Sequence, residues 1–266
     1  MRRQGWTRVA KAFSRRALAV TLSYRLPFAA ELLTAVLVVA EFFFIGKIVP
    51  SSEVGGGYFA FVTVGLVVSA FLAAGVATIA TTIRDEQSQG TLELVLASGL
   101  SAGQLAVGVA TFPLIEACAR SALYLGAALL LGLRLQGANI GVGFLGLAVG
   151  SSAFVGLGLV GVSLVLVFRR ASAAVAWIVG IASFASGVLF PPRVLPEWLQ
   201  QLARLSPVTV TLEVVRGGLL DGASLVSMLD ELALLVMMSL ACLGIGVASI
   251  HAGLRWARRS GTLAQY

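Results

Sequence analysis

The chain has 266 residues, of which 58% are hydrophobic and only 12% charged, and its mean hydropathy is +0.96. A soluble domain of this length needs far more charge to cover its surface, so the composition excludes an ordinary soluble enzyme or binding module. The net charge of +7 gathers at the two ends, with seven basic residues in the first 25 positions and Arg255, Arg258 and Arg259 near the last; basic flanks of this kind mark membrane topology rather than nucleic-acid binding.

In chain order, residues 1–25 read as an amphipathic interfacial helix. Trp6, Val9, Ala10, Phe13 and Ala17 recur at three- and four-residue spacing, while Arg8, Lys11, Arg15 and Arg16 take other faces. No small-residue cleavage site stands at the distance that a signal peptide requires. A first span is predicted over 27–49 and a second, after three glycines, over 58–83. Each is long enough to cross ~30 Å of hydrocarbon, which takes ~20 apolar residues. The polar segment 84–101 then interrupts the hydrophobicity. Its apolar stripe, Leu92, Val95 and Leu96, is too short to span, Gly99 suits a helix end, and Ser101 with Gln104 reads as a capping box. A third span follows over 102–133 and a fourth over 140–168. Arg169 and Arg170 make a tight hinge into a fifth over 171–190. Pro191 and Pro192 end the fifth span and open a mixed region, 191–221, that is too polar to span and too apolar to float free. The last span is predicted over 225–254.

The expected fold is therefore an all-α membrane protein with six transmembrane helices in a single domain over 1–266. With the N-terminus in the cytoplasm, thirteen Lys and Arg fall on that side and five on the other, which places both termini inside. Gly156, Gly158, Gly161, Gly244 and Gly246 allow close helix approach. Cys118 and Cys242 lie in apolar runs without metal or disulfide spacing, and one histidine, His251, cannot make a metal site. The two lysines, Lys11 and Lys47, stand in no Gly-x-x-x-x-Gly-Lys-Ser/Thr run, so no P-loop and no catalytic site is expected.

Charged residues inside spans cost on the order of 2.5–3.5 kcal/mol each unless paired or hydrated. Glu116 and Arg120, four apart on the third span, share a helical face and can pair. Two readings stand: a lining or gating element, or a local ion pair that locks helices. Glu31 is expected near the cytoplasmic interface and Glu41 deeper, where it would line something. Glu213 and Arg216 are a second candidate pair, in the region before the last span.

The run Glu86, Gly90, Thr91, Leu92, Glu93, Leu94, Leu96 resembles the coupling-helix signature of ATP-binding-cassette permeases of the type-2 (ABC-2) exporter family. The stretch Leu195-Pro196-Glu197-Trp198-Leu199, followed by Leu205-Ser206-Pro207 and by Leu212-Glu213-Val214-Val215-Arg216, resembles the same family before its last span. Ser206 stands where Asn is common. With the six-span layout, the resemblance covers nearly the whole chain.

The resemblance implies a transport subunit with no cofactor of its own. A second permease subunit, identical or homologous, would complete a twelve-span pore, and two copies of a separate ABC ATPase would bind ATP and Mg. Arg84, Asp85, Glu86, Gly90, Thr91, Leu92 and Glu93 would form the coupling helix that docks in the ATPase. Glu41, Glu116, Arg120, Glu213 and Arg216 remain pathway or gating candidates. The helices of 191–221 would re-enter the outer leaflet. The protein would sit, multi-pass and among membrane lipid, in a bacterial or archaeal plasma membrane, with no nucleic-acid partner. Lipids, lipid-linked glycans, hydrophobic drugs and peptides all stay open as substrates. The alternative is an ion- or proton-coupled secondary carrier using Glu41, Glu116 and Arg120, although no convincing internal repeat accompanies them; a non-transporting scaffold is a third reading.

Overall fold

The computed structural model describes residues 7, 11–12, 14–15, 25–49, 57–90, 102–135, 137–167 and 171–260. The described residues contain helices and turns and no strand. Most of the expected N-terminal interfacial helix, the whole of 91–101 with Thr91, Leu92 and Glu93, and the Arg169–Arg170 hinge lie outside them.

Helix α1 covers Arg25–Ile48. Gly57, at φ 87°, turns the chain into α2, Tyr58–Leu72, which runs without a break through a π-helical turn, Ala73–Thr78, into α3, Ile79–Ser88. The wider π-turn strains the regular hydrogen-bond ladder, and threonine hydroxyls bond to its carbonyls: Thr78 donates to Ala73 O (3.3 Å) and Thr82 to Thr78 O (2.8 Å). Helix α4 is Ala102–Leu130 and α5 is Ile140–Val167. Helix α6, Ala171–Ala185, is followed by Gly187 at φ 82°, a left-handed conformation that ends the helix. Between α6 and the last helix come a 3-10 turn, Pro192–Val194, and two short helices, α7, Glu197–Arg204, and α8, Pro207–Leu219. Ser206 caps α8 by accepting from Val208 N. Helix α9, Leu229–Ser260, closes the described chain.

Among the described residues, four helical stretches are long and apolar enough to cross a membrane: Tyr58–Glu86, Gly103–Leu130, Ile140–Leu166 and Val226–Gly253. They coincide with the second, third, fourth and last predicted spans. The first predicted span is helical as α1 but carries Glu31, Glu41 and Lys47. The fifth is shorter than expected, 15 residues, because the chain turns at Ser186–Gly187 rather than at the prolines.

Tyr58–Glu86 is the central helix, with 83% of its most apolar window buried, against 22% for the last span, whose outer face is open. Phe154 of α5, fully buried, packs with Phe71, Leu72 and Val76 of the central helix and with Leu212 and Val215 of α8. A second cluster joins Ile79 and Ile83 of α3 to Leu105 and Val109 of α4 and Ile250 of α9. Close approach depends on glycines, as the sequence suggested. A Cβ at Gly158 would overlap the Gly75 carbonyl oxygen, and one at Gly246 would overlap that of Gly156. Gly244, by contrast, faces open space. Interhelical hydrogen bonds come from Ser163, to Ser249 O (2.8 Å), and Ser239, to Val149 O (2.9 Å). Ser151 and Ser152 bond within their own helix instead.

Candidate functional site

The polar segment after the second span begins differently from its expected form. Arg84, Asp85 and Glu86 do not start a separate helix; they continue α3 to Ser88, because nothing before Gly90 breaks a run of helix formers. Gly90, at φ 68°, supplies the left-handed turn that ends it. Arg84 and Asp85 are exposed, while the Glu86 side chain is 8% exposed and turns inward. Of the candidate coupling residues, Arg84 and Asp85 therefore offer charge to the surface, and Glu86 sits beneath them.

The second charged site is a triad. Arg120 pairs with Glu116 through Nη2 and Oε1 at 3.0 Å, as the four-residue spacing requires. The same guanidinium also pairs with Glu31 of α1. The sequence assigned Glu31 no partner; α1 and α4 run side by side, and Val39 and Ala128, eight residues further along each helix, share a buried cluster. Two carboxylates share one guanidinium, and the three side chains are 32–40% exposed. Glu41 is not part of the triad. It is exposed and lies ten residues, about 15 Å, beyond Glu31 along the same helix.

The third site lies at the opposite end of the central helix from Glu86. The candidate pair Glu213–Arg216 does not form an ion pair: Glu213 is exposed and Arg216 reaches inward. The Arg216 guanidinium stacks on the Phe61 ring, with Cζ 3.4 Å from the centroid, and its Nη2 donates to Phe61 O (3.2 Å) and Val188 O (3.1 Å). Its Nε is buried without an acceptor. Gly65 leaves room for this seat, since a Cβ there would overlap the Val188 carbonyl oxygen. Helix α8, with 13 residues, is too short to span; burial lowers the Arg216 pKa to about 9 while Glu213 opposes the shift, so the group keeps its charge at neutral pH. A cavity of about 320 Å³ adjoins it, lined by Phe61, Pro191, Pro192, Arg193, Arg216, Leu220 and Asp221.

Asn139 holds this end together and was not among the sequence candidates. Its backbone N donates to Gly218 O (2.7 Å), its Nδ2 to Ala223 O (3.1 Å), and its Oδ1 caps α5 through Val142 N (3.3 Å). An Asn just before a long apolar run is a readable N-cap signal; its second partner, 84 residues on, is not.

Residues 3–220 match the family model of the ABC-2 type transporter. The chain belongs to the ABC-2 type transporter family. It is thus a multi-pass membrane protein and the transmembrane component of an ABC transporter, whose family permeases work with ABC ATPases. The match ends just after α8. The last helix of this ABC-2 permease is tied to the matched part by its packing on α5 at Gly156 and Gly246. A comparison with curated proteins finds no match.

Proposed function

We propose that this ABC-2 permease is half of an exporter: six spans with both termini in the cytoplasm, paired with a second permease subunit and driven by two copies of an ABC ATPase that binds ATP and Mg. The observation that carries this reading is the unbroken helix from Tyr58 to Ser88. One end bears the exposed charges Arg84 and Asp85, beside the segment that resembles a coupling helix. The other end carries Phe61 against Arg216.

A rod of 31 residues spans about 46 Å at 1.5 Å per residue, more than the ~30 Å of hydrocarbon. Its charged end therefore projects beyond the bilayer, where an ATPase can reach it. Closure of the ATPases on ATP would push that end. The rigid helix would carry the push past the π-turn to Phe61, and through the Arg216 stack to α8. The short helices 191–221, re-entrant in the outer leaflet, would then open the path between the two permeases. In this mechanism Arg84 and Asp85, with Gly90, Thr91, Leu92 and Glu93, meet the ATPase, and the inward-turned Glu86 holds the docking end in shape. The triad of Glu31, Glu116 and Arg120 supports a face covered by a partner or by water, because partly exposed charges are costly in lipid.

Charge reversal tests the docking role. The chain is co-expressed with its partner ABC ATPase, and Arg84→Glu with Asp85→Lys is expected to weaken co-purification and to uncouple ATPase activity from transport. If assembly, ATPase rate and transport all match the wild type, the coupling assignment is wrong.

A further inference from the structure

We propose that the cavity between the start of α2, the 191–193 turn and the end of α8 binds a phosphate group, carried by an amphiphile. This goes beyond the coupling role of the chain and does not depend on it.

The argument begins with charge. Two arginines and one aspartate line the cavity. Arg216 makes its direct contacts with neutral groups, the Phe61 ring and the carbonyls of Phe61 and Val188, while the exposed Glu213 carboxylate acts on it only at longer range. Carbonyl dipoles orient a guanidinium without cancelling its charge, and no ion pair reaches it among the described residues. Its Nε also lacks an acceptor. Arg193 is exposed at the mouth and makes no ion pair among the described residues either. Asp221 is a single carboxylate on the rim, so the lining keeps a positive excess.

Shape narrows the ligand. Guanidinium groups present a planar fork of donors that matches phosphate oxygens, which a lysine does not. Stacking on Phe61, with Gly65 leaving space for the Val188 carbonyl, fixes the plane of Arg216 before any ligand arrives. The remaining walls, Pro191, Pro192, Phe61 and Leu220, are apolar and stiff. A cationic fork set among apolar walls suits a phosphate joined to an organic group better than a small hydrated ion. A volume of about 320 Å³ admits a headgroup and the first carbons behind it.

The test uses the full chain purified in an uncharged detergent and measures binding by titration calorimetry. Three probes are compared: a short-chain phosphatidic acid, the diacylglycerol of equal chain length, and inorganic phosphate. Saturable binding of phosphatidic acid, weakened at least about tenfold by Arg193→Gln and tightened by Asp221→Asn, supports the site. Arg216→Lys keeps the charge but loses the fork, and it too should weaken binding. Inorganic phosphate binding as tightly as the lipid would assign the site to a free anion; phosphatidic acid alone would assign it to a headgroup. Equal binding of diacylglycerol, or an affinity unchanged in Arg193→Gln, overturns the proposal. Because Arg193 is exposed, its variant tests the site even if Arg216→Lys fails to fold. No ATPase is present, so the outcome is separate from that of the coupling test.

Discussion

Replacing Gly158 by Ala adds one carbon where α5 crosses the π-turn of the central helix. Beyond its overlap with the Gly75 oxygen, that Cβ would lie 2.9 Å from the Gly75 carbonyl carbon and 3.2 Å from Val76 Cα. All three atoms are backbone, so no rotamer change relieves the clash, and the two helices must move apart. Comfortable carbon–carbon separation is about 3.5–4.0 Å, which asks for a shift of up to about an ångström and loosens the packing around Phe154 and Val76. Overpacking of this kind costs about 1–3 kcal/mol. Gly126→Ala is the matched control: nothing lies within 4 Å of its Cβ on α4, so the same chemical change should gain roughly 0.5–1 kcal/mol from backbone entropy. The entropy gain is common to both helical positions, so the two variants should differ by the overpacking cost, about 1–3 kcal/mol, with Gly158→Ala the less stable. Thermal unfolding in detergent micelles, followed by far-UV circular dichroism, measures the order. If Gly158→Ala unfolds at or above the temperature of Gly126→Ala, the close crossing at the π-turn is wrong.

Two further outcomes are expected. Arg120→Gln strands the carboxylates of Glu31 and Glu116 and should destabilise the chain by less than the about 3–5 kcal/mol of a fully buried pair, because all three groups are partly exposed; adding Glu31→Gln should recover part of the loss in the same unfolding assay. Leu at all three positions should then restore stability but not ATP-driven transport by the assembled complex, and unchanged transport would take the triad out of the pathway. Ser206→Ala should cost about 1 kcal/mol through loss of the α8 cap, whereas Ser206→Asn, which can cap equally well, should leave the unfolding temperature unchanged.

The helices were legible because hydrophobic run length and glycine or proline breaks act locally. The second, third, fourth and last spans emerged where the apolar runs predicted them, and the Glu116–Arg120 pair followed from its four-residue spacing. What stayed hidden depends on which helices become neighbours. Nothing near Glu31 announces Arg120, 89 positions on, since the pairing is set by the side-by-side packing of α1 and α4. Local spacing likewise suggested Glu213 as the partner of Arg216. The structure prefers Phe61, because an arginine that turns inward gains a ring face and two carbonyls, while the Glu213 side chain points to the surface. The continuation of α3 through Arg84–Ser88 was missed for a different reason: the polarity changes there, but the helix propensity does not, and the first true breaker is Gly90.

The side chains that make up the two charged sites carry net charges of opposite sign. The triad holds one carboxylate more than it has guanidinium groups, and the exposed large residues of its two helices are otherwise apolar, among them Leu33 and Val36 on α1 and Ile115 and Leu123 on α4. The cavity beside Arg216 holds one arginine more than it has carboxylates, at the far end of the central helix from Glu86. A phosphate-bearing amphiphile that passed the triad would be repelled there and held at the cavity.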